Sequence, residues 1–116
     1  MKEHDIQSEI RLALAKDVIL FRTNAGTLWQ GKKVYSQEFK QDVLIDLRPV
    51  TGLPEGYPDL SGVRKSDGRA VFVEVKTPTG KVSEAQTHFI EQMRKYNAVA
   101  GVARSVDDAL KLVEVI

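Results

Sequence analysis

Residues 56–80 read GYPDLSGVRKSDGRAVFVEVKTPTG, and the pairing inside this stretch decides the fold. Two β-prone runs, Asp59 to Arg64 and Ala70 to Lys76, flank Lys65-Ser66-Asp67-Gly68-Arg69. Asp67-Gly68 is a strong hairpin signal, because a type I′ turn needs positive φ at both central residues. With these two as the loop, Ser66 faces Arg69, Ser61 faces Glu74 and Asp59 faces Lys76. Opposed residues share a face and strand side chains alternate, so Asp59, Glu74 and Lys76 gather on one side while Val71, Val73 and Val75 fill the other. Asp59 and Glu74 become diagonal neighbours, roughly 7 Å apart at the backbone, within joint reach of one cation.

Two carboxylates at that spacing repel each other, and a divalent cation relieves the repulsion. Such an ion polarises a phosphate oxygen and lowers the pKa of a bound water. A lysine beside it stabilises charge on a phosphoryl transition state. Asp59, Glu74 and Lys76 therefore make a phosphodiester-hydrolysing site in principle. The plainer alternative leaves Glu74 and Lys76 on the wet face of a half-exposed strand and Asp59 in a turn after Pro58. The Pro-Asp pair in register, the valine face and the Thr77-Pro78-Thr79-Gly80 break favour the site.

Outward from the hairpin, Ile6, Ile10, Ala13 and Leu14 recur at helical spacing, predicting a helix that ends near Lys16 or Asp17. Val18 to Thr23 is a continuous β-prone run stopped by Asn24-Ala25-Gly26. Leu28 to Tyr35 and Val43 to Val50 can each extend, giving a hairpin or flap with an irregular tail. After Gly80, Ser83 and Gln86 form a capping-box pattern for a helix whose apolar stripe is Ala85, Phe89, Met93 and Tyr96, with Asn97 as its stop. Ala98 to Ala103 reads as a strand. Ser105 and Asp108 cap a last helix carrying Ala109, Leu110 and Val113. The order αβ(ββ)ββαβα predicts an α/β fold with a central mixed β-sheet flanked by α-helices, one domain over residues 1–116.

The 116 residues suit one domain with a real core. No apolar run approaches the ~20 residues of a membrane span, and the charged MKEHDIQSEI start lacks a secretory apolar segment. A cytoplasmic protein of a bacterial or phage-infected host cell is expected. With no cysteine, thiolate zinc sites and cysteine nucleophiles are excluded. His4 and His88 are too far apart in sequence to form a ligand pair, so a metal would sit on oxygen ligands, as magnesium, manganese or calcium do. The formal net charge is only +1, but setting aside Glu3, Asp59, Glu74 and Lys76 leaves 16 basic and 13 acidic residues, +3 elsewhere. That suits modest backbone affinity more than base reading.

Pro58-Asp59, followed fifteen residues later by Glu74-Val75-Lys76, resembles the PD-(D/E)XK nuclease superfamily. Asn24-Ala25-Gly26, Gly56-x-Pro58-Asp59-Leu60, Phe72-Val73-Glu74-Val75-Lys76 and Gly80-Lys81-Val82-Ser83-x-x-Gln86 together look like its VRR-NUC (virus-type replication-repair nuclease) group, across about residues 3 to 110. The resemblance implies a restriction-endonuclease-like core, Mg²⁺ or Mn²⁺ as cofactor and cleavage of DNA phosphodiesters.

By the same resemblance Asp59 and Glu74 are metal ligands, the Val75 carbonyl is a further ligand and Lys76 is the catalytic lysine. Family members commonly add a glutamate from the first helix. Glu3 continues the apolar stripe and is preferred; Glu9, at the stripe's edge, is the second choice. Gln86 has two readings, as the capping-box residue and as a helix glutamine near the metal-bound water or phosphate. Arg22 and Asn24 follow the first strand and are candidates for DNA backbone contact. So are Lys32 and Lys33, which with Lys40, Arg48, Trp29, Tyr35 and Phe39 make a basic and aromatic mixture. The other reading packs those aromatics into the core or a dimer partner. The expected function is a structure-selective endonuclease on branched or flapped DNA, resembling a Holliday-junction resolvase and acting as a homodimer. A less selective nicking or restriction-type nuclease, or a non-catalytic DNA-binding subunit, are the alternatives.

Overall fold

The computed structural model describes residues 2–23 and 27–114. The first apolar stripe becomes α1 (Glu3–Leu14), whose Ile6, Ile10 and Leu14 are buried. There follow β1 (Val18–Arg22), β2 (Thr27–Ser36), β3 (Gln41–Thr51), β4 (Leu60–Arg64), β5 (Ala70–Val75), α2 (Glu84–Lys95), β6 (Val99–Ala103) and α3 (Val106–Val113). The element order is the expected one.

β1, β4, β5 and β6 form a mixed sheet in that spatial order. β1 and β5 run antiparallel to β4, and β6 lies parallel to β5 after the α2 crossover. Val71, Val73 and Val75 are fully buried on the side covered by α1 and α3, where they meet Ile10, Leu14 and Ala109. Ser61, Phe72 and Glu74 face the other side, toward α2. This is the restriction-endonuclease-like arrangement of a mixed sheet between helices.

The central hairpin departs from the expected register. Leu60 faces Val73 and Ser61 faces Phe72, so the ladder is displaced by two residues. The loop is wider than a type I′ turn. Arg64 N–H donates to Arg69 O at 2.9 Å, Gly68 N–H donates to Arg64 O at 2.8 Å, and Gly68 takes φ +74°. The cause lies in two side chains. Arg64 is buried, and its guanidinium grips Asp67 at 2.6 and 3.1 Å while also bonding the Val113 carbonyl at the end of α3. Asp67 in turn accepts from its own loop at Arg69 N–H, 3.2 Å. With Asp67 committed this way, the tight two-residue turn loses out. A displacement of two keeps every side chain on its expected face.

Two helix stripes are also corrected. Ile90 is the buried residue of α2, while Tyr96, placed in the stripe by its spacing, is 79% exposed at the C-cap. Asn97, at φ +68°, closes the helix as expected, with Ala98 N–H donating to Met93 O. In α3, Ala109 and Val113 are buried and Leu110 faces outward.

β2 and β3 pair only with each other among the described residues. A bulge between Gln30 and Lys32, with Asp46 at φ +54°, interrupts their register. The hairpin's aromatics do not enter the core: Trp29, Tyr35 and Phe39 are all exposed. The radius of gyration is 17.2 Å over extents of 59 × 29 × 27 Å, against about 13 Å for a compact domain of this length. The hairpin is an arm.

Candidate functional site

The Pro58-Asp59 corner is fastened from three directions. Gly56, at φ +88°, sits so close to the Ala85 backbone of α2 that a Cβ there would lie 2.4 Å from its carbonyl oxygen. Tyr57 then packs edge-on against Phe72 of β5 and Phe89 of α2, at ring separations of 5.8 and 5.0 Å. Just past β1, the Thr23 hydroxyl donates to the Pro58 carbonyl and the Thr23 N–H to the Asp59 carbonyl at 2.9 Å. Finally, Val75 N–H donates to Asp59 Oδ2 at 2.9 Å, so the carboxylate is tied to the end of β5.

Glu74 is 2% exposed. Its Oε1 accepts from Gln86 Nε2 at 3.0 Å and lies 3.8 Å from Lys76 Nζ. Its Oε2 is buried without any hydrogen-bond partner. Glu3, at the start of α1, completes the group: one carboxylate oxygen each from Glu3, Asp59 and Glu74 lie within 4.8 Å of one another. Burial, then the nearby Asp59 carboxylate, push the Glu74 carboxyl up to about 8, with Lys76 opposing. Three hard oxygen donors with one buried lone oxygen suit a divalent cation of the magnesium, manganese or calcium type.

The Lys76 ammonium projects from a side chain that is only 15% exposed. Its backbone N–H donates to Ala103 O of β6 at 3.1 Å. The next residue of that strand's path, Arg104, sends Nη1 to the Thr77 and Gly80 carbonyls, 2.7 Å each. The turn after Lys76 is therefore clamped from the far end of the sheet.

Gln86 closes the expected capping box and also touches Glu74. Its Oε1 accepts from Ser83 N–H at 2.9 Å, closing the capping box, and its Nε2 reaches Glu74. Val75 ends β5 with its side chain in the core. Glu9 is exposed and outside the carboxylate group. Arg22 is exposed at the end of β1, facing Leu60 across the ladder and next to Thr23. Asn24 lies outside the described residues. Lys32 and Lys33 are on the hairpin, away from the carboxylates in chain order, and strand alternation turns them to opposite faces; Lys33 pairs with Asp42 at 3.3 Å. Thr23, Tyr57 and Arg104 were not singled out by sequence. Tyr57 had a signal, its place beside Pro58-Asp59, whereas the other two act through backbone carbonyls that no side-chain pattern announces.

The sequence model of the VRR-NUC domain matches residues 2–107. A search among curated proteins found no match.

Proposed function

The chain belongs to the VRR-NUC family, nucleases of the PD-(D/E)XK type, and on that footing we propose that it is a divalent-metal-dependent DNA endonuclease selective for branched structures, such as a Holliday junction, acting as a homodimer. The observation that carries this reading is the carboxylate triplet of Glu3, Asp59 and Glu74 beside a sheltered lysine, with Glu74 Oε2 left unpartnered. The whole chain serves as one nuclease domain, with the hairpin as an insertion between β1 and β4.

Glu3, Asp59, Glu74 and the Val75 carbonyl would hold Mg²⁺ or Mn²⁺. A divalent cation at this place supplies polarisation of the scissile phosphate and a lowered pKa for water. The protein's own part is positioning. The Val75 N–H and Thr23 keep Asp59 in place, and Gln86 fixes the orientation of Glu74. The Lys76 ammonium, held near those carboxylates, neutralises charge that grows on the phosphate in the transition state. Arg22, Asn24, Lys32 and Lys33 are proposed contacts to the DNA backbone, whose charge makes binding strongly salt-dependent.

Labelled plasmid, flap and four-way-junction substrates, incubated with Mg²⁺, Mn²⁺ or a chelator, test the proposal. Metal-dependent paired nicks, symmetric about the branch point, are expected. Equal cutting of all substrates would remove the structure selectivity, and no cutting with either metal would remove the nuclease reading of this chain.

A further inference from the structure

The Arg104 guanidinium is spent on main-chain oxygens. Its Nη1 donates to the Thr77 and Gly80 carbonyls at 2.7 Å each and approaches the Pro78 carbonyl at 3.5 Å. Among the described residues it makes no ion pair, unlike the guanidinium of Arg64, which has Asp67 at 2.6 Å. The backbone leaves Arg104 little freedom. Ala103 lies beside Val75 in the parallel β5–β6 ladder, and its carbonyl accepts from Lys76 N–H at 3.1 Å. Arg104 N–H itself donates to Asp108 Oδ2 at 2.9 Å. One arginine thus reaches from the edge of the sheet to both ends of the turn that leads from β5 toward α2.

That turn separates two groups that meet on one atom. Lys76 precedes it and Gln86 follows it, and Lys76 Nζ and Gln86 Nε2 approach the same oxygen, Glu74 Oε1, at 3.8 and 3.0 Å. Gly80 also lies against the lysine: a Cβ on it would stand 3.5 Å from Lys76 Cδ and 3.1 Å from Thr77 Oγ1. The Gly80 N–H closes the turn on Thr77 O at 3.1 Å, and Pro78 and Thr79 at its tip are exposed. Water can take over the carbonyls when the guanidinium is removed, so loss of Arg104 loosens the turn without opening the core. The two N–H bonds of Nη1 diverge in a fixed plane and meet two carbonyls at once, which an ammonium on a flexible stem does less well.

We propose that Arg104 is a positioning residue for cleavage: through the Thr77 and Gly80 carbonyls it holds the turn against the Lys76 stem and so keeps the ammonium beside Glu74. A free lysine stem explores many rotamers, and restricting it before the substrate arrives removes that entropy from the chemical step. The inference rests on the nuclease reading and adds to it a residue that touches neither the carboxylates nor the lysine side chain.

Three variants test it: Arg104→Gln, Arg104→Lys and, as a control for general loosening of this corner, Ser105→Ala. The control removes the α3 cap, in which Ser105 Oγ accepts from Asp108 N–H at 3.1 Å, without touching the turn. Circular dichroism checks folding, and Arg104→Lys carries the test if Arg104→Gln does not fold. At saturating junction DNA and Mn²⁺ the single-turnover cleavage rate should fall about tenfold to hundredfold in Arg104→Gln, and less in Arg104→Lys. DNA and Mn²⁺ affinities should stay within a few-fold of the parent, and Ser105→Ala should cleave at the parent rate. Either Arg104 variant added to Lys76→Ala should cost almost nothing further, since the arginine acts through the lysine. A second readout needs no cleavage. Acetylation of the sheltered Lys76 by a brief acetic anhydride pulse, scored by mass spectrometry against the exposed Lys95, should rise several-fold in the Arg104 variants and not in Ser105→Ala. Parent-like cleavage and acetylation in the Arg104 variants, or an undiminished rate loss in the Lys76→Ala background, would overturn the positioning role. A parent protein that cuts no DNA with either metal, while the Arg104 variants still raise Lys76 acetylation, would remove the nuclease reading and leave the hold on Lys76 standing.

Discussion

Gln86 holds Glu74 by its amide nitrogen, at 3.0 Å, while its amide oxygen closes the N-terminal cap of α2 on Ser83. The backbone N–H of Ser83 can only be accepted by an oxygen, so the cap dictates which end of the amide faces the carboxylate. The start of a helix and the orientation of a buried acid are thus set by one side chain.

Two substitutions separate those duties. Ser83→Ala should cost about 1 kcal/mol of stability and leave Mn²⁺ affinity where it was. Gln86→Ala should lose comparable stability and also weaken Mn²⁺ binding roughly tenfold or more, as removal of a ligand's supporting hydrogen bond does. Thermal melts and calorimetry read the two effects. Equal Mn²⁺ affinity in both variants would reduce Gln86 to a cap residue.

Asp59→Ala and Glu74→Ala should each abolish Mn²⁺ binding by calorimetry while the circular dichroism spectrum is retained. Without metal, Glu74→Gln should be more stable than the parent at pH 8 and above, because it removes a buried like charge beside Asp59. Undiminished Mn²⁺ affinity in both alanine variants would mean that the cation, if bound, sits elsewhere.

The raised Glu74 pKa fixes a direction for pH dependence. Its folded value of about 8 lies above the ordinary 4.5, so between these values the folded chain keeps a proton that the unfolded chain has released. Stability of the metal-free protein should therefore be greatest below about pH 4.5 as far as this group is concerned, fall as pH rises toward 8, and level off beyond. Asp67, drawn down to about 2 chiefly by its hydrogen bond to Arg64, does not titrate within that window. Metal binding must displace the Glu74 proton, so Mn²⁺ affinity should climb by up to about tenfold per pH unit below 8. Melting temperatures in chelator against saturating Mn²⁺ show both slopes; a flat Mn²⁺ affinity from pH 6 to 8 would contradict them.

Lys76→Ala should leave junction binding within a few-fold and lower cleavage by about 10² or more, the usual cost of losing one transition-state electrostatic donor. Single-turnover rates and gel-shift titrations separate chemistry from binding. Wild-type cleavage by this variant would make Lys76 an ordinary strand residue.

The faces of the central hairpin were legible because side-chain alternation depends only on parity. The turn was not, because Asp67 is spent on Arg64, and nothing in the local pattern shows that an arginine four residues after Leu60 will be buried under the end of α3. A register wrong by two thus still puts Asp59 and Glu74 on one face. Ile90 was missed for a related reason: helical spacing admits several stripes, and contact with β6 selects the one through Ile90 over the one through Tyr96. The Glu3 position was reachable from the stripe of Ile6 and Ile10, since the same face that buries them leads back one turn to the sheet's edge. Thr23 and Arg104 were not reachable, because their partners are main-chain carbonyls brought near only by the assembled sheet.

That last dependence reaches into how the protein is made. A ribosome-bound chain that stops short of Ala103 already contains Glu3, Asp59, Glu74 and Lys76, yet has no β6 carbonyl for the Lys76 N–H and no Arg104 for the Thr77–Gly80 turn. Synthesis must run through Ala103 before the parallel strand can close the sheet. Translation products that stop before β6 are thereby left with the acidic residues but without the strand that fixes the Lys76 backbone.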